Sequence, residues 1–448
     1  MKALTFKRGI HPPDNKHHTA STPIETIMPV AGEQMLFSLQ HHIGAPCAPI
    51  VEVGERVLVG QKIADSDAFV SSPVHSSVSG TVTGITETLI PTGAIVKAIA
   101  IENDGEFLQH EKARALDKPK DDYLNAKPAE ILAAIREAGI VGLGGAGFPS
   151  HIKLNPPKEK RIDHVLINAA ECEPFLTNDY RVMLEKGDRL LRGLQIVLRL
   201  FPGAKGVIGI ESNKMEAVKQ LQGLCAADKN CQDIRVVALQ TKYPQGAEKQ
   251  LISACVSREV PSGGLPADAG CIVQNVGTVV SLEEALCRNM PLMRRVITIC
   301  GGAVRKPGNY RVPVGMSYST FLDAAGGLKA EPAKIISGGP MMGVALPHLD
   351  IPVIKISSAI LCLTDSAANI PAEQGCIRCA RCVEHCPVGL LPLDLNQYAV
   401  RGNDDAFRKN NGMDCIECGS CSYICPAKRH LTQSVRSVRR RLLAAARK

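Results

Sequence analysis

Two cysteine runs near the C-terminal end constrain this chain more than any other feature. Cys376, Cys379, Cys382 and Cys386 are spaced C-x2-C-x2-C-x3-C and followed by Pro387. Cys415, Cys418, Cys421 and Cys425 repeat that spacing and precede Pro426. Three cysteines at such short intervals wrap one corner of a cubane, so a fourth ligand comes from farther away. Where two such runs occur together, the fourth cysteine of each ligates the other run's [4Fe-4S] cluster. The spacing therefore predicts one cluster on Cys376, Cys379, Cys382 and Cys425, and a second on Cys415, Cys418, Cys421 and Cys386. Zinc is the rival, since paired C-x2-C units also build tetrahedral sites. Zinc has no need of a third cysteine two residues on, or of the C-P ending. A disulfide framework would need an oxidising compartment, and Met1 to Pro13 shows no apolar h-region of a signal peptide.

The other nine of the 17 cysteines are scattered and read as reduced core residues, which implies a reducing compartment. A chain of 448 residues holds more than one domain, and 45% hydrophobic with 21% charged content is ordinary for globular protein. No apolar run approaches the roughly 18 residues of a membrane span. The formal charge of +8 is concentrated between Lys428 and Lys448, where eight basic residues stand with no acid. Such a tail suits anionic lipid headgroups or an acidic partner, or is a solvated helix end. Nucleic acid is disfavoured, because no aromatic residue interleaves with these charges.

Residues 1–120 read as β-rich, with alternating stretches such as Gly80-Thr-Val-Thr-Gly-Ile85 divided by turn signals. The segments Val53–Ile63 and Ser79–Val82 resemble biotinyl- and lipoyl-type barrel-sandwich domains. Those carriers attach their cofactor to a lysine in the intervening hairpin, and Asp65 to Ser71 contains none. The resemblance thus implies the fold without the carrier function. His11, His17, His18, His41, His42 and His75 lack partners at ligand spacing and read as surface or core histidines. The stretch from His110 to Pro128 reads as a linker, and Ala129 to Ala138 as an amphipathic helix.

Gly142-Leu-Gly-Gly-Ala-Gly-Phe-Pro149 satisfies G-x-G-x-x-G, whose glycines let backbone N–H groups approach a phosphate. A helix rather than a strand precedes it, so alone it reads as a glycine-rich turn; Lys153 lies within reach of a phosphate. A strand His164–Ile167 then runs into Asn168-Ala-Ala-Glu171-Cys-Glu173-Pro174. Side chains at a strand's end there suit a flavin edge or a ribose, or a helix cap and a solvated turn. Helical Arg181–Leu200, strand Gly206–Ile210, helical Lys214–Ala227 and strand Arg235–Leu239 alternate as in a parallel sheet with flanking helices.

Three stretches fall in one order: Gly142–Lys153, Asn168–Pro174 and Tyr243-Pro-Gln-Gly-Ala-Glu-Lys249, followed by Gln274-Asn-Val-Gly-Thr278. This series resembles the FMN- and NADH-binding subunit of respiratory complex I. With the β-rich start and the double cysteine run, nearly the whole chain resembles the RnfC subunits of the Rnf complexes, membrane-bound ion-translocating NADH:ferredoxin oxidoreductases. The resemblance implies a multidomain α+β protein. Its parts would be a barrel-sandwich domain at 1–120, a Rossmann-like FMN/NADH domain at 121–295, a β-grasp (SLBB-like) domain at 296–350, an α-helical two-cluster ferredoxin domain at 351–430, and a basic tail at 431–448.

It also implies that Gly142, Gly144 and Gly147 line the FMN and nucleotide pocket, that Lys153 pairs with the FMN phosphate, and that Phe148 packs on the nicotinamide nucleotide. Asn168, Glu171 and Glu173 would edge the flavin and NADH. Gly246 and Glu248 would complete the nucleotide site, with Asn275 near FMN. The chain departs from the complex I pattern at Leu143, Ala170 and Ala247, where that pattern has an arginine and two acids. These departures bear on NADH affinity rather than on fold.

The implied role is a peripheral subunit on the cytoplasmic face of the inner membrane. It would pass electrons between NADH and ferredoxin-linked carriers, with the ion-moving step in other subunits. A flavin belongs between NADH and the clusters because it exchanges a hydride on one side and single electrons on the other. No residue is required as an acid or base. Two alternatives are a non-catalytic electron wire and a soluble NADH:ferredoxin reductase.

Overall fold

The computed structural model describes residues 3–116, 119–120, 122–368 and 371–445. Four antiparallel strands (Gln34–Ser38, Ile95–Asn103, Gly80–Leu89 and Arg56–Val57) and three short ones (Ala48–Pro49, Lys62–Asp65 and Val74–His75) form the barrel sandwich. Alternate side chains of the strands turn inward: Met35, Phe37, Val57, Ile63, Val82, Ile99 and Ile101 are buried. The lysine-free hairpin ends instead on Phe69, which is 80% exposed.

This core does not close on itself. It continues into a six-stranded sheet through Ile297, Ile299, Tyr310 and Val312, with Phe321 of the helix Tyr318–Ala324 packed in the same core. That sheet runs Ile24–Thr26, Gly308–Pro313, Arg294–Cys300, Ala359–Leu363, Lys334–Ser337, Val344–Leu346. It therefore recruits strands from beyond the stretch 296–350. Ala359–Leu363, expected at the start of the cluster domain, is buried throughout. It pairs with Arg294–Cys300 on one side and Lys334–Ser337 on the other. Five consecutive apolar residues need cover on both faces, which the middle of a sheet provides.

The α/β domain has four parallel strands in the order Ile234–Leu239, Lys205–Glu211, His164–Ala169, Cys271–Asn275. The predicted helix before the glycine loop is Pro128–Glu137, opened by Pro128 at its first position. The run expected as one helix over 181–200 is two, Asn178–Glu185 and Gly187–Arg199, divided at Lys186. A Cβ on Gly187 would lie 3.0 Å from Leu224, so the second helix begins where close packing on its neighbour needs glycine.

Two segments strap the domains together. Leu4 pairs with Leu239 at the edge of the parallel sheet, and Ile10 pairs with Tyr243; residues 4–16 thus pack on the α/β domain rather than in the barrel sandwich. The predicted linker is likewise held, with the amides of Leu116 and Lys120 donating to the carbonyls of Arg288 and Cys287. The last unit is helical around the cysteines: Arg381–Glu384, Pro392–Val400, Asp404–Lys409, Ser420–Ile424 and Leu431–Ala445. Among the described residues no helix is long and apolar enough to cross a membrane.

Candidate flavin site and cysteine cavities

In the parallel sheet, the first strand lies between the second and the fourth, so the strand order reverses beside it. Ligands of such sheets bind in the crevice outside the carboxyl ends at that reversal. Asn168 stands at the end of one flanking strand and Asn275 at the end of the other, opposite each other in register. The glycine loop lies across this end. Its neck is closed by the Gly142 amide donating to the Phe148 carbonyl at 2.9 Å, and a Cβ on Gly144 would sit 2.9 Å from Asn275.

The glycines serve different ends. Gly147 has φ +75°, and a Cβ there would meet Ile356 and the backbone of His41 and His42 at 2.8 to 3.1 Å. Its need for glycine comes from its left-handed backbone and from packing against Ile356 and the neighbouring barrel sandwich, whatever the loop binds. Gly142 has no such crowding nearer than 3.6 Å, and Gly145 has open space, so Gly145 is the position where a ligand can approach the backbone. Sequence reasoning passed it over because the motif's spacing does not include it.

Each remaining candidate has a definite partner. The Asn168 amide donates to the Gly246 carbonyl at 2.7 Å, and the Gly246 amide donates to Cys172 Sγ at 3.2 Å, which fixes the Tyr243–Lys249 loop beside the strand end. Asn275 donates to Asp179 at 2.6 Å while its oxygen caps the following helix. Lys153 Nζ forms an ion pair with Glu248. Phe148 is 37% exposed at the loop's edge.

Glu171 has φ +48°, a conformation costly for a residue with a side chain. One carboxylate oxygen accepts the Asp179 amide at 2.7 Å, and the other is buried without a partner. Burial raises its pKa to about 7, opposed by Lys16 and Lys214. Glu173 instead accepts the amides of Met341 and Met342 at 3.1 and 2.9 Å, so its carboxylate holds a β-grasp loop. Burial raises it too to about 7.

A glutamate with a raised folded pKa binds its proton more tightly than the unfolded chain does between about pH 4.5 and 7, so stability falls as pH rises through that window. Glu173→Gln should flatten that fall. Parallel melting profiles for the wild type and the variant across pH 4.5–7 would contradict this.

Sequence reasoning missed the buried residues around the carboxylates. Lys16 donates to the Glu173 carbonyl at 2.8 Å, and Lys214 to the Ala170 carbonyl at 2.8 Å and to Glu211 at 3.2 Å. No local pattern marks them, since they come from separate segments. Leu143 and Ala170, two of the departures, are 2% and 0% exposed and belong to apolar clusters. They are packing positions here, where an unpaired charge would be expensive.

The eight cysteines of the double run divide between two cavities. One is lined by Cys415, Cys418, Cys421 and Cys386, with Pro387, Val388, Leu390 and Val435 among its walls. The other is lined by Cys376, Cys379, Cys382 and Cys425, with Ile377, Arg378 and Leu431. Among the described residues no three Cys, His, Asp or Glu side chains converge closely enough to hold a single ion.

The first cavity is the inner one. Tyr243 is 1% exposed and its hydroxyl donates to the Cys418 carbonyl at 2.7 Å, joining this cavity to the loop that carries Gly246. Ile10, Tyr243 and Cys418 form an apolar contact with Cys172, Met341 and Ile416 against it. The second cavity is outer, with Cys376 and Cys379 exposed.

Much of the basic C-terminal stretch is spent internally. Arg436 and Arg439 both pair with Glu417, Arg441 pairs with Asp404, and Arg429 with Glu373. Arg447 and Lys448 lie outside the described residues. Of the histidines, His41, His42 and His75 are core residues, while His11, His17 and His18 are exposed.

The chain is similar to several known families along its length. A family model for the RnfC barrel sandwich hybrid domain matches residues 4–106, and one for the Nuo51 FMN-binding domain matches residues 135–284. An SLBB domain model matches 296–345 and a 4Fe-4S dicluster domain model 375–429. The NAD+-reducing [NiFe]-hydrogenase in its H2-reduced state shares the fold, with TM-score 0.51 and 18% identity, over 73% of this chain and 63% of that chain. A subunit of the ion-translocating oxidoreductase complex of Pseudomonas aeruginosa is 38% identical over 92% of this chain and 53% of its own length. A subunit of the proton-translocating ferredoxin:NAD(+) oxidoreductase complex of Clostridium ljungdahlii is 44% identical over 96% of this chain and 93% of its own. The counterpart from the Na(+)-translocating complex of Acetobacterium woodii is 44% identical over 100% and 99%. With such identity over nearly full lengths, the chain belongs to the RnfC family, subunits of the ion-translocating ferredoxin:NAD(+) oxidoreductase (Rnf) complexes.

Proposed function

We propose that this chain is the peripheral, nucleotide-binding electron-transfer subunit of an ion-translocating ferredoxin:NAD(+) oxidoreductase complex, lying on the cytoplasmic face of the membrane. The observation that carries the reading is the division of eight cysteines into two four-thiol cavities, the inner one joined through Tyr243 to the loop at the α/β sheet's ligand-binding end.

The cavities fit two [4Fe-4S] clusters. Thiols set around an open space, too far apart for one ion, suit an interposed four-iron cluster. Backbone amides of Arg378 and Glu417 donate to Cys376 and Cys415 sulfurs at 3.4 Å, the kind of hydrogen bond that tunes cluster potential. Cys376, Cys379, Cys382 and Cys425 would hold the outer cluster, and Cys415, Cys418, Cys421 and Cys386 the inner.

The crevice fits FMN and NADH. Gly142, Gly144 and Gly147 shape the loop, and Gly145 leaves its backbone open to the ligand. Lys153 would exchange Glu248 for a phosphate. Asn168, Glu171 and Asn275 would edge the ring, Glu173 would brace the β-grasp loop, and Gly246, Glu248 and Phe148 would meet the nicotinamide nucleotide. FMN supplies the exchange between hydride and single electrons. The chain's part is to hold donor and acceptors in line and keep water from the buried inner cavity. Of the three departures on which an electron wire with a decayed site would rest, Leu143 and Ala170 fall on core positions, and only Ala247, half-buried at the start of the helix Glu248–Val256, stands in the nucleotide loop.

The test is anaerobic purification with iron, sulfide and FMN counts, followed by NADH addition and EPR. About eight irons, one FMN and NADH-reducible cluster signals are expected. Full clusters without flavin or NADH response would leave the electron-wire reading, and zinc without sulfide would overturn both.

A further inference from the structure

The two cysteine runs are structural copies, and their ligand loops have different fates. In Cys415-Ile416-Glu417-Cys418 and Cys376-Ile377-Arg378-Cys379 the third residues share φ values of 55° and 56° and the same amide-to-sulfur bond. On the inner copy, Ile416 packs against the contact made by Ile10, Tyr243 and Cys418, and Glu417 is clamped by Arg436 and Arg439. That loop face is an interface within the chain. On the outer copy, Ile377 is 68% exposed, and Arg378 and Arg381 stand free in solvent with no ion pair among the described residues. Lys428 adds a further exposed cation beside Cys425.

We infer that the bare Cys376–Cys379 loop, with Ile377 at its centre and Arg378, Arg381 and Lys428 around it, is the docking surface for an acidic electron-carrier protein. Three reasons favour this occupant. The equivalent face of the inner copy is covered by protein. Glu417 and Ser420 of the inner copy are replaced here by Arg378 and Arg381, against one added acid, the exposed Glu384 in place of Tyr423. This turns a face whose glutamate is clamped by internal arginines into one with free cations and a net positive charge. The exposed Cys376 and Cys379 put this cluster where a partner's redox centre can come close. Cationic rims steer acidic partners and fix their register, and an exposed isoleucine supplies the dry centre of a contact. The exchange is one electron from the reduced partner to the oxidised outer cluster, with no bond made and no proton moved. The inference rests on the electron-transfer function proposed above.

The probe is an acidic plant-type [2Fe-2S] ferredoxin, reduced beforehand and mixed anaerobically with the oxidised full chain, with cluster bleaching followed by stopped flow. This assay bypasses NADH and FMN, so a failed flavin site would leave it readable. Wild type should show a rate that falls steeply with added salt. Arg378→Glu and Lys428→Glu should each slow it about tenfold or more at low salt and flatten the salt dependence. Arg161→Glu, on an exposed residue of the α/β domain, should change neither. Iron and sulfide counts qualify each variant; if Arg378→Glu loses its outer cluster, Lys428→Glu decides. Wild-type rate and salt slope in the qualified charge-reversal variants would overturn the assignment, as would a wild-type rate insensitive to salt.

Discussion

Cys386→Ala should abolish the EPR signal of the cluster held by the other run, and iron should fall by about four atoms of about eight. The reason is the crossing of the two runs: Cys386 lines the cavity of Cys415, Cys418 and Cys421, while Cys425 lines that of Cys376, Cys379 and Cys382. Cys425→Ala should cost the same amount of iron and remove the opposite signal. The two variants then differ in function. The inner cavity touches the Tyr243 loop, so Cys386→Ala should leave an outer cluster that NADH reduces slowly or not at all. Cys425→Ala should keep an inner cluster that NADH reduces, with no onward path. Retention of the inner signal in Cys386→Ala would refute the crossed arrangement.

What the sequence made legible followed from periodic or fixed spacing. The double run stood out because ligand chemistry fixes its intervals. The alternation of strand and helix patterns fixed the α/β domain, with strands at Lys205–Glu211 and Ile234–Leu239 within a residue of expectation. Contacts between distant segments were not legible. Leu4 on Leu239, Lys16 beneath Glu173 and Ala359–Leu363 inside the β-grasp sheet leave no local periodicity. Charge was misleading for a related reason. The C-terminal arginines looked like a free basic patch, yet Arg436 and Arg439 meet a glutamate about twenty positions upstream, inside a cysteine loop. Pattern also overstated the glycine loop, where Gly147 answers to the packing of His41 and the open position is Gly145.

Lys355→Met should destabilise the fold at every pH, and by more as pH rises from about 7 to 10. Lys355 is 0% exposed, at the junction of the barrel sandwich with the glycine loop, and donates to the Pro73 and Gly139 carbonyls at 2.6 and 2.7 Å. The groups facing it are His41, His42, His75, Cys47 and Asp65. Methionine fills the volume but leaves two buried carbonyls unpaired, at about 1–3 kcal/mol each. Burial pulls the lysine's folded pKa down to about 7, whereas the unfolded chain keeps the proton to about 10.4. Between those values the unfolded state binds more protons, so raising the pH favours the folded wild type. Below about 7 both states are protonated and stability no longer changes with pH through this group. The neutral amine still has two hydrogens for the two carbonyls, so both hydrogen bonds survive deprotonation. Each pKa unit is worth about 1.4 kcal/mol, which sets the gain at a few kcal/mol at most. The variant lacks the titrating amine of residue 355, so the gap in melting temperature between wild type and Lys355→Met should widen across pH 7–10; a constant gap would remove the argument. Gly139 leads into the glycine loop through Ile140 and Val141, so the variant should also retain less FMN on purification.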